Sequence, residues 1–151
     1  MPAVKKMELV RKVVDDQEKR RAEALAASEK RLSESESKLA ELQTYRDGYV
    51  RDFAARAQAG IDSVIARDYQ VFLGRLEEAL RQQAQIVSRT RVQRDAEMKN
   101  WQGAAQRAEG VGQMIKRIQT EEERAGARRE QLESDERSQR AWATQSDPYG
   151  H

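Results

Sequence analysis

Met7, Val14, Leu25, Leu32, Leu39, Leu42, Tyr49 and Phe53 fall on two positions of a seven-residue repeat, and polar residues fill most of the positions between them. That spacing puts one narrow apolar stripe on a helix and predicts a coiled-coil seam. A second run, Ile65, Tyr69, Phe72, Leu76, Ala79 and Ile86, continues the pattern, which then fails at Thr90, Gln93 and Glu97 and returns in a shifted frame at Trp101, Ala105, Ala108 and Ile115. A frame change of this kind is a stutter, so a straighter, softer stretch is expected near residues 90 to 98. The only prolines are Pro2 and Pro148, so nothing between them locks the backbone out of a helix. The best internal break is Ala59, Gly60, Ile61, Asp62, where Gly60 can take a left-handed cap and Asp62 can cap the next helix.

These signals predict an all-α fold, a long antiparallel two-helix coiled-coil hairpin forming one elongated domain. Helix one covers residues 4 to 58, helix two residues 62 to 140, and residues 141 to 151 form a frayed tail. At 1.5 Å per residue the rods measure roughly 80 and roughly 115 Å. Folding back at Gly60 sets residue i opposite a residue near 118 minus i, pairing Phe53 with Ile65, Leu42 with Leu76, Leu39 with Ala79, Leu32 with Ile86 and Met7 with Val111. Polar seam residues Glu18 and Arg21 then meet the stutter. Helix two beyond about residue 115 has no intrachain partner, yet Ile118, Ala125 and Leu132 keep one apolar face there, a face that calls for cover by another protein. Gly48 and Gly74 fall opposite each other, which predicts either a close backbone approach or a bend.

Composition narrows the function. Charged residues make up 36% of the chain and hydrophobic ones 38%, against about 25% and about 45 to 50% in ordinary globular domains, so a thick core is excluded. With no Cys and a single His at position 151, thiolate and imidazole metal sites and His-based catalysis lack their parts, and neither an enzyme nor a cofactor or metal protein is expected. Carboxylate clusters such as Asp15 with Asp16, or Glu121 to Glu123, have no apolar enclosure to shift them and read as solvated helix faces. Gly110, Val111, Gly112 lacks the strand, Lys and Ser or Thr of a phosphate loop. The net charge is +2, with 28 basic and 26 acidic residues interleaved. The basic clusters Lys19, Arg20, Arg21 and Arg89, Arg91, Arg94 are bordered by acids, so no nucleic-acid partner is expected. No apolar leader and no membrane span follow from the pattern, and a soluble cytoplasmic protein is expected.

Tyr45, Tyr49, Phe53, Tyr69 and Phe72 flank the turn, whereas Trp101 and Trp142 stand alone. Phe53 and Phe72 suit the last turns of the seam as well as they suit a partner. Leu42, Tyr45 and Tyr49 form a stripe wider than two helices need, which favours a partner-binding patch near the tip.

The segment LAELQTYRDGYVRDFAARAQAGIDSVIARDYQVFLGRLEEAL, residues 39 to 80, resembles the FliJ family of flagellar export proteins: a Leu, Leu, Tyr, Tyr run leads to a Gly-centred turn and then a Tyr, Phe, Leu, Leu run. RREQLESDE, residues 128 to 136, resembles that family's ending. The resemblance implies a flagellar type III export component, a cytoplasmic, motility-linked stalk held at the cytoplasmic face of the inner membrane at the flagellar base through its partners alone. Those partners are a hexameric export ATPase, entered by the helix ends, the cytoplasmic ring of the export gate, and export chaperones that the stalk helps recycle. By the family's pattern the gate-facing residues are Leu42, Tyr45, Tyr49, Phe72, Leu76 and Ala79, with Lys38 and Gln83 departing from it at the edge of the patch. On the ring side the unpaired overhang and the loosened seam single out Met7, Val14, Trp101, Ile118, Arg124, Arg128 and Leu132. Two alternatives share the shape: a homo-oligomeric coiled-coil scaffold, and the equivalent stalk of a virulence secretion system.

Overall fold

A computed structural model describes residues 2 to 145. They form two helices, α1 over Pro2–Ala59 and α2 over Ser63–Gln145, packed against each other as a hairpin, with no strand among the described residues. The sequence supplies what such helices need: an Ala, Glu, Arg, Leu and Gln-rich chain with no internal proline. The expected end of α2 at 140 falls short of the observed one, and residues 146 to 151 of the expected tail lie outside the described residues.

The turn occupies Gly60, Ile61 and Asp62. Gly60 has φ 93° and its N–H donates to the Ala57 carbonyl at 3.3 Å, closing α1 with a left-handed residue that a side chain would strain. Asp62 opens α2: its Oδ1 accepts from the Val64 N–H at 3.4 Å and its carbonyl accepts from the Ala66 N–H at 3.0 Å.

The chain divides into two compact units, Gln17–Ala104 and Met1–Asp16 with Ala105–His151. Within Gln17–Ala104 the seam on α1 runs through Leu25, Ser28, Leu32, Ser35, Leu39, Leu42, Arg46, Tyr49 and Phe53. On α2 it runs through Tyr69, Leu73, Leu76, Leu80, Gln83, Val87, Thr90, Arg94, Glu97, Trp101 and Ala104. All of these are buried or half-buried. The antiparallel register is pinned by cross-helix contacts: Tyr49 with Tyr69, Ser35 with Gln83, and Glu18 with Trp101.

Two expectations about α2 are corrected. Ile65 and Ile86 are not in the seam, being 43% and 39% exposed, and Phe53 makes its ring contact with Tyr69 at 5.2 Å. Nor is there a stutter: the steps of three and four run unbroken from Tyr69 to Ala104. The apolar repeat Ile65, Phe72, Ala79, Ile86 sits one residue ahead of the true seam, and polar Gln83 and Thr90 occupy seam positions where apolar residues are ordinarily sought. These polar residues are satisfied there. Gln83, 5% exposed, donates from Nε2 to the Ser35 carbonyl at 3.0 Å. Ser35 Oγ donates to the Leu32 carbonyl at 2.8 Å and lies 3.0 Å from Thr90 Oγ1. Ser28, 1% exposed, donates to the Leu25 carbonyl at 2.8 Å. Gly48 and Gly74 do not bring the helices closer, since a Cβ at Gly74 would meet nothing within 4 Å and one at Gly48 only its own helix's Arg51 guanidinium at 4.0 Å.

In the other unit, Ile115 is 2% exposed and Met7, Val14, Val111 and Ile118 are half-buried, while Arg11 lies along a groove with Ala108, Gly112 and Ile115. Because α1 starts at Pro2, cover of α2 reaches a few residues further than expected. From residue 127 to residue 144 every side chain is exposed.

Candidate partner-binding surfaces

Near the turn, helical spacing and the antiparallel register bring five rings into one chain of contacts. Tyr45 lies against Tyr49 at 6.5 Å and edge-on to Phe72 at 6.4 Å. Tyr49 meets both Phe72 and Tyr69 at 4.8 Å, and Tyr69 meets Phe53 at 5.2 Å. The Tyr69 hydroxyl donates to Asp52 Oδ2 at 2.6 Å, the Arg56 guanidinium pairs with the same carboxylate at 3.5 Å and lies 5.9 Å from the Tyr69 ring. The Asp52 carboxylate, accepting that bond, raises the Tyr69 pKa above the usual tyrosine value of 10.0, with burial adding to it and Arg56 opposing it. Burial, then the neighbouring Tyr45, Asp52 and Asp68, raises that of Tyr49.

Of the residues expected to face the gate, Tyr45 is 56% exposed, and Leu42, Tyr49, Phe72 and Ala79 are half-buried. Leu76 is 8% exposed and belongs to the seam, so it supports the surface from beneath. Sequence reasoning missed what Ile65 and Ile86 do. In an antiparallel pair of right-handed helices, residues one step ahead of corresponding seam positions fall on the same side. Ile65, Phe72, Ala79 and Ile86 precede Ala66, Leu73, Leu80 and Val87, and Tyr45 precedes Arg46. The Tyr45 to Phe72 contact shows that these rows meet on one flank. On α2 that row is apolar, whereas on α1 it carries Arg31, Lys38 and Asp52 beside Tyr45. The other flank is polar, carrying the Glu36 to Arg91 ion pair at 3.8 Å.

Among residues expected at the ATPase ring, Met7, Val14 and Ile118 are half-buried, Arg124 and Arg128 are exposed, and Leu132 is 63% exposed. Trp101 belongs instead to the Gln17–Ala104 unit, where its Nε1–H donates to Glu18 Oε1 at 2.9 Å. Its polar edge is taken by the seam. Among the described residues no cluster of three or more His, Asp or Glu is placed to hold a metal ion.

A family model described as Flagellar FliJ protein matches residues 4–147 of the chain. Neither a curated protein nor a solved structure matches it.

Proposed function

The chain belongs to the FliJ family, whose members are components of flagellar type III protein export, and from this premise we propose that it is the stalk coupling the export ATPase to the export gate. The aromatic surface near the turn binds the cytoplasmic ring of the gate. The exposed end of α2, with Arg124, Arg128 and Leu132, enters the hexameric ATPase together with the paired helix ends that carry the half-buried Met7, Val14 and Ile118. Among the described residues no helix is long and apolar enough to cross a membrane. Attachment at the flagellar base is through these partners, and export chaperones are recycled there.

Tyr45 carries this reading. It is more than half exposed, yet its ring is steadied by Tyr49 on its own helix and by Phe72 on the other, so an anchor is held in place before a partner arrives. At the ring end, a two-helix hairpin lacks six-fold symmetry and must contact the subunits of a hexamer unequally. Unequal contacts favour some nucleotide states over others, so binding alone promotes ordered turnover. The test at the gate is the affinity of the full chain for the purified cytoplasmic domain of the gate subunit. Tyr45→Ala is expected to cost at least about 2 kcal/mol, roughly thirtyfold. An unchanged affinity removes the gate assignment.

A further inference from the structure

Two rows compete for the seam on α2, and each is long enough to fill it. The seated row is Ala66, Leu73, Leu80 and Val87, and the row one residue ahead of it is Ile65, Phe72, Ala79 and Ile86. Each holds three large apolar side chains and one alanine. Both share the same second row, Tyr69, Leu76, Gln83 and Thr90, because steps of four and three from Ile65 reach those residues as regularly as steps of three and four from Ala66. Adjacent residues on a helix are about 100° apart, so exchanging one row for the other needs a turn of α2 about its own axis by half of that, about 50°.

Near the hairpin turn α2 sits close to the dividing line. Phe72 and Leu73 are both half-buried, whereas further along Leu80 and Val87 are 8% and 6% exposed and Ile86 is 39% exposed. α1 has no such choice. Its row one residue ahead of the seam carries Arg31, Lys38 and Asp52 beside Tyr45, so α1 keeps its face and α2 is the helix that turns. The second seam also has an end. Past Thr90 the leading row continues as Gln93, Asn100 and Arg107, all exposed, while the Trp101 Nε1–H to Glu18 bond at 2.9 Å and Ala104, 1% exposed, hold the present face. Between the two stretches lie half-buried Arg94 and Glu97, and the Glu97 Oε2 is buried without a hydrogen-bond partner. A change of twist is taken up there, where the seam has least to lose.

We propose that α2 from Ser63 to Thr90 has two seated positions against α1: the present one, and one turned by about 50° in which Ile65, Phe72, Ala79 and Ile86 enter the seam while Leu73, Leu80 and Val87 turn out to the opposite flank. Packed side chains interlock in discrete arrangements, so the change is a switch and not a continuous slide. One apolar row is sheltered while the other is offered to a partner, and a partner that covers Ile65 and Ile86 binds one position only and shifts the population toward it. The inference concerns the hairpin itself and stands whether or not the gate and ring assignments hold.

The chain has no cysteine, so a single introduced thiol reports one face. Ile86→Cys and Val87→Cys are made separately in the full chain, and the rate of reaction with a thiol reagent is measured in the parent background and again with Ala79→Leu and Leu80→Ala together. That swap keeps the composition and moves the alanine from the leading row to the seated row. The same two cysteines are compared in both backgrounds, so their own effect cancels. In the parent, position 86 is expected to react at least about tenfold faster than position 87. In the swap the order is expected to reverse, with the helical signal at 222 nm retained. An unchanged order overturns the proposal. Fast reaction at both positions, or loss of the helical signal, overturns it equally, because a chain with a second seam stays packed when the first is weakened.

Discussion

Gln83 is a polar residue buried in a thin core, and its replacement shows whether that seam position has been read correctly. Gln83→Ala deletes a hydrogen bond of 3.0 Å to the Ser35 carbonyl and leaves a gap at a site that is 5% exposed. The bond contributes about 1 kcal/mol, and the buried methylene lost with the amide about 0.8 kcal/mol. The Ser35 carbonyl keeps its place in the helix ladder, so no large penalty for a stranded acceptor is added. The sum is a destabilisation of about 2 kcal/mol. For a chain of 151 residues that lowers Tm by about 4 to 8 °C. Gln83→Leu loses the same bond but buries an apolar side chain of similar reach, and is expected to recover most of the loss. Thermal and urea unfolding followed by circular dichroism at 222 nm measure both. If Gln83→Ala melts with the parent, or if Gln83→Leu is the more damaging of the two, the seam does not pass through Gln83 and the unbroken register on α2 is wrong.

Leu76→Ala, at a position 8% exposed, is expected to cost about 2 to 4 kcal/mol of stability, whereas Tyr45→Ala at 56% exposure costs the fold no more than about 1 kcal/mol; urea midpoints compare them. Gly60→Ala forces a side chain into φ 93° with no neighbouring atom to clash, so the loss of about 1 to 2 kcal/mol in an unfolding curve is purely backbone strain. Tyr69 has its pKa raised above 10.0 on folding, so its neutral form is favoured in the native state: the stability this adds is full below the ordinary tyrosine value and is lost as pH rises through the raised one. Absorbance at 295 nm is expected to show two late-ionising tyrosines, Tyr49 and Tyr69, of which Tyr69→Phe removes one and Asp52→Asn moves the Tyr69 transition back toward the ordinary value.

The hairpin was legible because its signals are local and agree: no proline between the ends, a Gly and an Asp at the turn, and Leu at regular intervals on α1. The register was legible for the same reason, since a symmetric fold about Gly60 leaves little freedom. What misled was a competition between two parallel rows on α2. Ile65, Phe72, Ala79 and Ile86 are more apolar than Gln83 and Thr90, so hydrophobicity alone points to the flank and reads the seam as broken. Burial depends on where α1 lies, and Ser35, itself a polar seam residue facing Gln83 and Thr90, supplies the partners that make a polar layer affordable. The aromatic cluster was visible as five rings near the turn. The Tyr69 to Asp52 bond was not, because it links residues whose proximity only the antiparallel register creates. Leu76 was read as a contact residue because the sequence cannot tell a side chain beneath a surface from one on it.

The central claim is that this chain acts on the export ATPase through an exposed end that is separate from its gate-binding surface. The direct measurement is steady-state ATP turnover by the purified hexameric export ATPase with the full chain and with a chain lacking residues 127 to 151, a segment whose described residues are all exposed up to residue 144 and whose removal leaves both seams intact. The full chain is expected to raise turnover and the shortened chain to leave it near the basal rate while still binding the gate domain. Equal stimulation by both would contradict the account.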